Sequence, residues 1–498
     1  MSDPSINVDQ AEPIVASMQT IDHGALPPWQ IADLPKPLPL SIRNVFHTIG
    51  PGAILLAASI GAGEWIAGPV TAVNHGSQIM WLATVSIFLQ MLFNLEAVRY
   101  TLYTGEPIFT GFMRLNPGSK FWAIFYIGMG LLQLATPALA LTTANVIFAA
   151  SVGREANASE SADGTWLMFI AFALVLVTAY LLLSGKSIER MLERISWGMI
   201  AFIFVFLLTV NCLFVPAHQW VTTATGFLTP SQLPDNVDLI LLATFVATAG
   251  SGGLGNLAIS NWTRDKGFGM GAYMGGIGGV LSDQHVELAR TGKIFPVTAE
   301  NLARWRQWWR YALIDQSGLW AVGCVVGMYL NVNLALAIIP EGSELAGTKA
   351  GAFQAQYMAQ TMWHGLWFLG LLNGFWILYS THIGNTDCLT RTISDIAWVA
   401  WPKLQRWSSS KVYATILAVI VVIGLVILSF GEDGLGLFKV LGVVANPIMA
   451  IGAIQILRVN TRFLPKEIRP PWWRRAGLVL CTLLYGTMCI VSVYSLLR

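Results

Sequence analysis

Apolar residues along this chain fall into long blocks rather than onto one face of short elements. The blocks run over 47–73, 79–102, 121–150, 165–184, 193–215, 237–260, 309–335, 361–386, 412–430, 434–457 and 475–496. Each is close to the roughly 20 residues a helix needs to cross the hydrocarbon of a bilayer. The pattern predicts an all-α integral membrane protein with eleven transmembrane helices. Two blocks are interrupted. In the first, Gly61-Ala62-Gly63 stands mid-span and is followed by a carboxylate, Glu64. In the sixth, Gly250, Gly252, Gly253 and Gly255 crowd together just before Asn256. Such stretches make poor helix interiors. Backbone left unpaired at membrane depth is tolerated only where protein shields it or a cavity lies beside it, and a charge at that depth is costly enough to mark a pathway or a site.

Blocks 1–5 and 6–10 can be paired. Five is odd, so the second set runs with inverted topology. The expected architecture is a five-plus-five inverted repeat of the LeuT-like type with broken helices 1 and 6, and one further helix. Residues 1–45 form an N-terminal tail, 46–216 the first repeat, 217–457 the second with a Gly-rich inner loop over 261–308, and 458–498 helix 11. A single small-residue run would indicate close helix packing. Two at matching places, one with an acid, point to a binding site at the midplane, where half-helix ends present partial charges and free backbone groups. The residues so marked are Gly61, Ala62, Glu64, Thr248, Ala249, Gly253 and Asn256.

Composition agrees with the membrane reading. The 498 residues are 55% hydrophobic and 11% charged, against about 25% charged in soluble domains. Charge placement sets the orientation. Of 29 basic residues, only Arg154, Lys349 and Arg498 fall on the outer side, with Lys439 inside a block. The positive-inside rule then puts the N-terminus in the cytoplasm and the C-terminus outside, in a multi-pass cell (inner) membrane protein. The first 45 residues lack a basic start followed by an apolar run, so they do not read as a signal peptide. They read as a largely disordered cytoplasmic tail whose Pro-rich part, Pro27 to Pro39, lies against the first helix. The spans show no Ser/His/Asp set, no His-Glu-x-x-His and no paired acids, which argues against an enzyme. The Gly-rich inner loop lacks the strand before it and the Gly-Lys-Ser/Thr after it that a phosphate loop requires; a hinge or a linker fits it equally.

Particular segments carry a family resemblance. Gly50-Pro51-Gly52 with the interruption that follows, Leu89-Gln90 through Tyr103-Thr104-Gly105, Gly185 to Arg194, and Gly431-Glu432-Asp433-Gly434-Leu435 with Asn446-Pro447 together resemble the Nramp family of divalent-metal transporters. The resemblance covers nearly the whole chain from about residue 45, and it implies the inverted-repeat fold shared with amino-acid and neurotransmitter symporters. The departures are informative. The family's Asp-Pro-Gly-Asn on helix 1 reads Gly61-Ala62-Gly63-Glu64 here, and its Met-Pro-His-Asn on helix 6 reads Gly253-Leu254-Gly255-Asn256. Its helix 3 motif Ala-Thr-Asp-x-x-Glu has become Ala135-Thr136-Pro137-Ala138-Leu139-Ala140. The metal-binding Asp, the thioether and both proton-coupling acids are therefore missing, and the chain resembles a divergent branch that lacks the metal-binding Met.

Thioethers select soft transition metals, whereas carboxylate, carbonyl and water suit hard ions. Glu64 and Asn256 with nearby carbonyls thus form a set for a hard divalent cation, Mg²⁺ or Mn²⁺, carried as substrate by alternating access and uncoupled from protons. No cofactor is expected. The partners are the lipid bilayer and the small substrate, with no nucleic acid, and the protein is read as a monomer. A small amino acid or amine is the alternative substrate, since helix N-termini bind carboxylates and Glu64 could pair with an ammonium. A channel or sensor on a transporter scaffold is a reading from another class. For gating or coupling, Glu96 and Arg99 at i, i+3 suggest an ion pair, and Asp315 an inner-gate pair with an arginine. His382 and Asp387 suggest a proton relay or, more plainly, a satisfied polar cluster.

Overall fold

The computed structural model describes residues 22–157, 160–184, 188–234, 237–277, 288–340, 353–430 and 434–497. Its helices are α1 (Ile42–Thr48), α2 (Pro51–His75), α3 (Trp81–Thr104), α4 (Ile108–Arg114), α5 (Ser119–Leu134), α6 (Ala138–Val152), α7 (Ser161–Ser184), α8 (Ile188–Phe214), α9 (Ala217–Leu228), α10 (Leu239–Thr248), α11 (Leu254–Asp265), α12 (Ala299–Ile338), α13 (Phe353–Thr361), α14 (Leu366–Ala400), α15 (Ser409–Ser429), α16 (Gly434–Arg462) and α17 (Trp472–Leu496). Among the described residues, nine helical segments are long and apolar enough to cross a membrane. The other two expected spans coincide with a divided helix, α10 and α11, and with α14. The C-terminal half of α14 carries Asp387, Arg391 and Asp395, all buried.

The block at 121–150 is not one rod. It stops at Leu134 and resumes at Ala138, because Pro137 has no N–H to continue the ladder and its ring clashes with the turn before it. The long α14 runs through the interior, packing against α2, α5, α6, α8, α11 and α15. Trp65, Trp262 and Trp320 are among the largest side chains fully buried in the core.

The tail departs from expectation. Residues 22–40 form a strap, and the Pro-rich part lies against α12, not the first helix. Strap residues Gln30–Ile31 (β1) pair in parallel with Lys293–Ile294 (β2). Beyond them, donors on α12 reach strap carbonyls: Arg304 to Leu34 O (2.7 Å), Trp308 to Pro35 O (2.8 Å), Gln307 to Leu38 O (2.6 Å) and Tyr311 to Leu38 O (3.1 Å). Positions 304, 308 and 311 share a helix face. A Pro-rich strand has few N–H groups to offer, so its carbonyls make the contacts. Residues 1–21 lie outside the described residues. So do Gly278 and Gly279 of the expected inner loop 261–308. The ends of that loop are helical, in α11 and α12, and Gly269 and Gly271 between them are buried.

Arg114 anchors the start of the strap. It donates to His23 O (2.8 Å) and Pro27 O (2.9 Å), lies 4.0 Å from the Trp29 ring centre and pairs with buried Glu106 at 2.5 Å. Burial pushes the Glu106 carboxyl up, but the Arg114 charge and hydrogen bonds from Arg114, Tyr100 and Gly292 hold it below its usual range. Its contribution to stability is therefore complete above the ordinary carboxylate range and is lost as pH falls below it. Arg114→Ala leaves Glu106 buried and unpaired, which costs about 3–5 kcal/mol. Thermal unfolding in detergent should show this loss, and limited proteolysis should find residues 22–31 newly cleavable.

Candidate functional site

The first expected break proves to be a change of winding. Pro51–Ser59 and Gly68–His75 of α2 are α-helical, but Ile60–Ala67 is a π-helical stretch in which Gly68 N–H bonds to Gly63 O. The helix is therefore continuous, because the wider turn keeps backbone groups paired. A side chain enters where the winding changes. The Thr381 hydroxyl accepts from Gly61 N–H at 2.9 Å and lies 3.2 Å from Ala57 O, the two groups an α-helix would join directly. Ser380 Oγ donates to the same carbonyl at 3.0 Å. The glycines are required for close approach: a Cβ at Gly61 would overlap the Thr381 hydroxyl, and one at Gly63 the Thr248 carbonyl. Short π stretches inside α-helices are common at functional sites.

The second break is real. α10 closes at Ala249, whose N–H bonds to Phe245 O, and α11 opens at Leu254, with Gly252 (φ 69°) and Gly253 (φ 62°) left-handed between them. Two glutamines satisfy the freed backbone. Gln90 of α3 accepts from Ser251 N–H (3.0 Å) and Gly252 N–H (3.3 Å) and donates to Ala247 O (3.2 Å). Gln133 of α5 accepts from Leu254 N–H (2.9 Å) and donates to Gly252 O (3.1 Å). The Thr248 hydroxyl turns back to Thr244 O at 2.8 Å.

Glu64, in the π stretch, is 0% exposed, and neither carboxylate oxygen has a hydrogen-bond partner among the described residues. It leans on the C-terminal half of α12, where its Cγ is 4.0 Å from the place of a Cβ on Gly327 and the Cys324 thiol lies alongside. Asn256 does not bond to Glu64. Its amide donates to Asn94 Oδ1 at 2.9 Å, while its own Oδ1 is buried and unpartnered. Asn94 continues to Gln316 (3.1 Å) and Gln316 to Asp315 (2.8 Å). Among the described residues no group of three or more His, Cys, Asp or Glu could hold a metal ion.

Asp315 departs from its expected role. Among the described residues it pairs with no arginine. Its two oxygens accept from Gly50 N–H (3.1 Å) and Gly52 N–H (2.8 Å), capping the first turn of α2. Those N–H groups have no partner within their own helix, and the positive end of the helix dipole favours a carboxylate there. Asp315 sits in a second π stretch, Ile314–Ala321 of α12. Glu96 and Arg99 do pair, through two contacts of 2.7 and 3.1 Å, and Arg474 joins them at 3.1 Å.

His382 and Asp387 form no relay. Five residues on one helix are about 140° apart around its axis, so the two face different ways. Asp387 takes Arg391 through two 3.0 Å bonds, Trp262 at 2.9 Å and Tyr413 at 2.7 Å. Arg391 also pairs with Asp265, and Arg264 joins Asp265 and Asp395, each at 2.6 Å. This buried network ties α11 to α14. His382 instead stacks on Tyr379, at 6.3 Å between ring centres, and borders a cavity of about 30 Å³ at the α5–α6 break.

The sequence reading missed Gln90, Gln133, Asn94, Gln316 and Thr381 as parts of the site. The available signal was a set of uncharged polar residues inside apolar blocks, where a polar group needs a partner.

No family model and no curated protein sequence matches the chain. Solved structures of the Eremococcus coleocola manganese transporter do share its fold. Two single-residue variants each superpose with a TM-score of 0.66 at 14% identity, covering 93% or 94% of this chain and 90% of theirs. The same transporter in complex with an aromatic bis-isothiourea substituted compound gives 0.64 at 13% identity, covering 94% and 91%. The protein thus shares the multi-helix fold of that manganese transporter.

Proposed function

We propose that this protein carries a hard divalent cation, Mg²⁺ or Mn²⁺, across the membrane by alternating access, with Glu64 as the charged ligand and Asn256 as a second oxygen donor. The observation that supports this reading most directly is Glu64. A carboxylate buried with both oxygens unbonded is expensive, and a positive ligand offsets that cost. Glu64 Oε1 and Oε2 and Asn256 Oδ1 are buried without hydrogen-bond partners, and carboxylate and amide oxygens suit a hard cation. Mg²⁺ needs only one or two protein ligands because it keeps several waters. An organic substrate is less favoured, since Gln90 and Gln133 already occupy the backbone groups it would use at the sixth-helix break. Pro137 and Ala140 stand where the resembled family has acids, which favours flux uncoupled from protons. The repeats over 46–216 and 217–457 and the inside N-terminus belong to the same proposal.

The test is uptake into liposomes of reconstituted protein, with Mg²⁺, Mn²⁺ and an amino-acid panel, with and without a pH gradient. The expected result is Mg²⁺ or Mn²⁺ uptake that a pH gradient does not drive. Selective Mn²⁺ uptake at low concentration against excess Mg²⁺ would contradict the hard-ion reading. Amino-acid uptake without cation flux would replace it.

A further inference from the structure

A second site lies away from the helix breaks. A cavity of about 670 Å³ opens between the strap, α1, the first turns of α8 and the end of α11. Its basic side chains are Lys36, His47, Arg190, Arg194 and Lys266. Arg190 and Arg194 are both exposed and stand at i, i+4 on α8, a spacing at which like charges repel. Lys36, His47 and Arg194 form no ion pair among the described residues.

Three acids border the same space. Asp265 is held by Arg264 and Arg391, and Glu193 by Lys266. Glu189 remains. It is 4% exposed, its Oε1 has no hydrogen-bond partner, and Lys266 Nζ is 3.9 Å away. The cavity therefore offers a cationic rim and, set deeper, one carboxylate oxygen that makes no hydrogen bond and has Lys266 Nζ 3.9 Å away. A simple anion would meet the rim but not Glu189, and a simple cation the reverse. A phosphate joined by a short link to a primary ammonium meets both, through charge-assisted hydrogen bonds at each end. The approach is apolar: Ile42 and Phe46 of α1 are 81% and 62% exposed, with Leu38 and Leu40 of the strap exposed beside them. A short helix presenting such residues beside a basic cluster has the character of an interfacial segment.

We propose that this cavity binds the headgroup of an aminophospholipid, with the phosphate on Lys36 and Arg194 and the ammonium on Glu189. The proposal is independent of the transported substrate.

Native mass spectrometry of the delipidated full chain tests it, with phosphatidylethanolamine, phosphatidylcholine, phosphatidylglycerol and free phosphoethanolamine as probes. Phosphatidylethanolamine should be retained about tenfold more strongly than either other lipid. Phosphatidylcholine keeps the charges but has no N–H to give Glu189, and phosphatidylglycerol has no ammonium. Glu189→Gln, close in shape, should erase that preference, while Lys36→Gln with Arg194→Gln, both at exposed positions, should weaken all three lipids. Equal retention of the three lipids by the wild-type chain, a measurement that needs no variant, would overturn the proposal. So would an unchanged preference in Glu189→Gln. Displacement of the lipid by equimolar phosphoethanolamine would overturn the lipid assignment in favour of a soluble ligand.

Discussion

Glu64→Gln should abolish cation uptake in proteoliposomes while leaving the protein at least as stable as before. Glutamine keeps the shape and one oxygen but removes the charge. Losing an ionic partner to a buried cation costs on the order of 2–4 kcal/mol. At low substrate concentration that corresponds to roughly 30- to 1,000-fold less uptake, at about 1.4 kcal/mol per tenfold. Stability moves the other way, because both carboxylate oxygens are buried without partners and a neutral amide is cheaper to bury. The two readouts together separate a ligand from a structural acid. Uptake within threefold of wild type, or a large fall in melting temperature, would remove Glu64 from the proposed site.

Gln90→Leu should be the most damaging single change at the sixth-helix break. The side-chain amide there makes bonds to Ser251 N–H, Gly252 N–H and Ala247 O. Leucine fills similar volume and satisfies none of them. Each buried orphan costs about 1–3 kcal/mol, and partial relaxation brings the sum to roughly 3–5 kcal/mol. Thermal melts should fall by several degrees. Gln133→Leu frees two groups, Leu254 N–H and Gly252 O, and should cost proportionately less. Equal, negligible effects from both would mean that water, not the glutamines, braces the break.

The apolar blocks made the helices legible, since every block has a helical counterpart. Glycine content was a weaker guide. It identified the interruption in the sixth block correctly, but in the first it reflected close approach by Thr381 and Thr248, and a sequence cannot separate those two uses of glycine. Partner choice was harder still. Arg310 is near Asp315 along the chain, yet the groups that satisfy the carboxylate are Gly50 and Gly52, more than 260 positions earlier. His382 and Asp387 look adjacent on paper and diverge around the helix. Arg264, Arg391 and Asp395 were visible only as isolated charges. The i, i+4 repeat of 387, 391 and 395 on one helix was the available hint that they act together.

The strap, the N-terminal half of α12 and the first turn of α2 close a ring. The strap bonds to Arg304, Trp308 and Tyr311; α12 carries Asp315 to Gly50 and Gly52; and the chain returns through α1. Freeing the N-terminal end of α2 means parting several of these bonds nearly at once. A concerted rupture of this kind carries a large activation enthalpy, so uptake by the transport cycle proposed above should slow far more sharply on cooling than the viscosity of the bilayer alone would dictate.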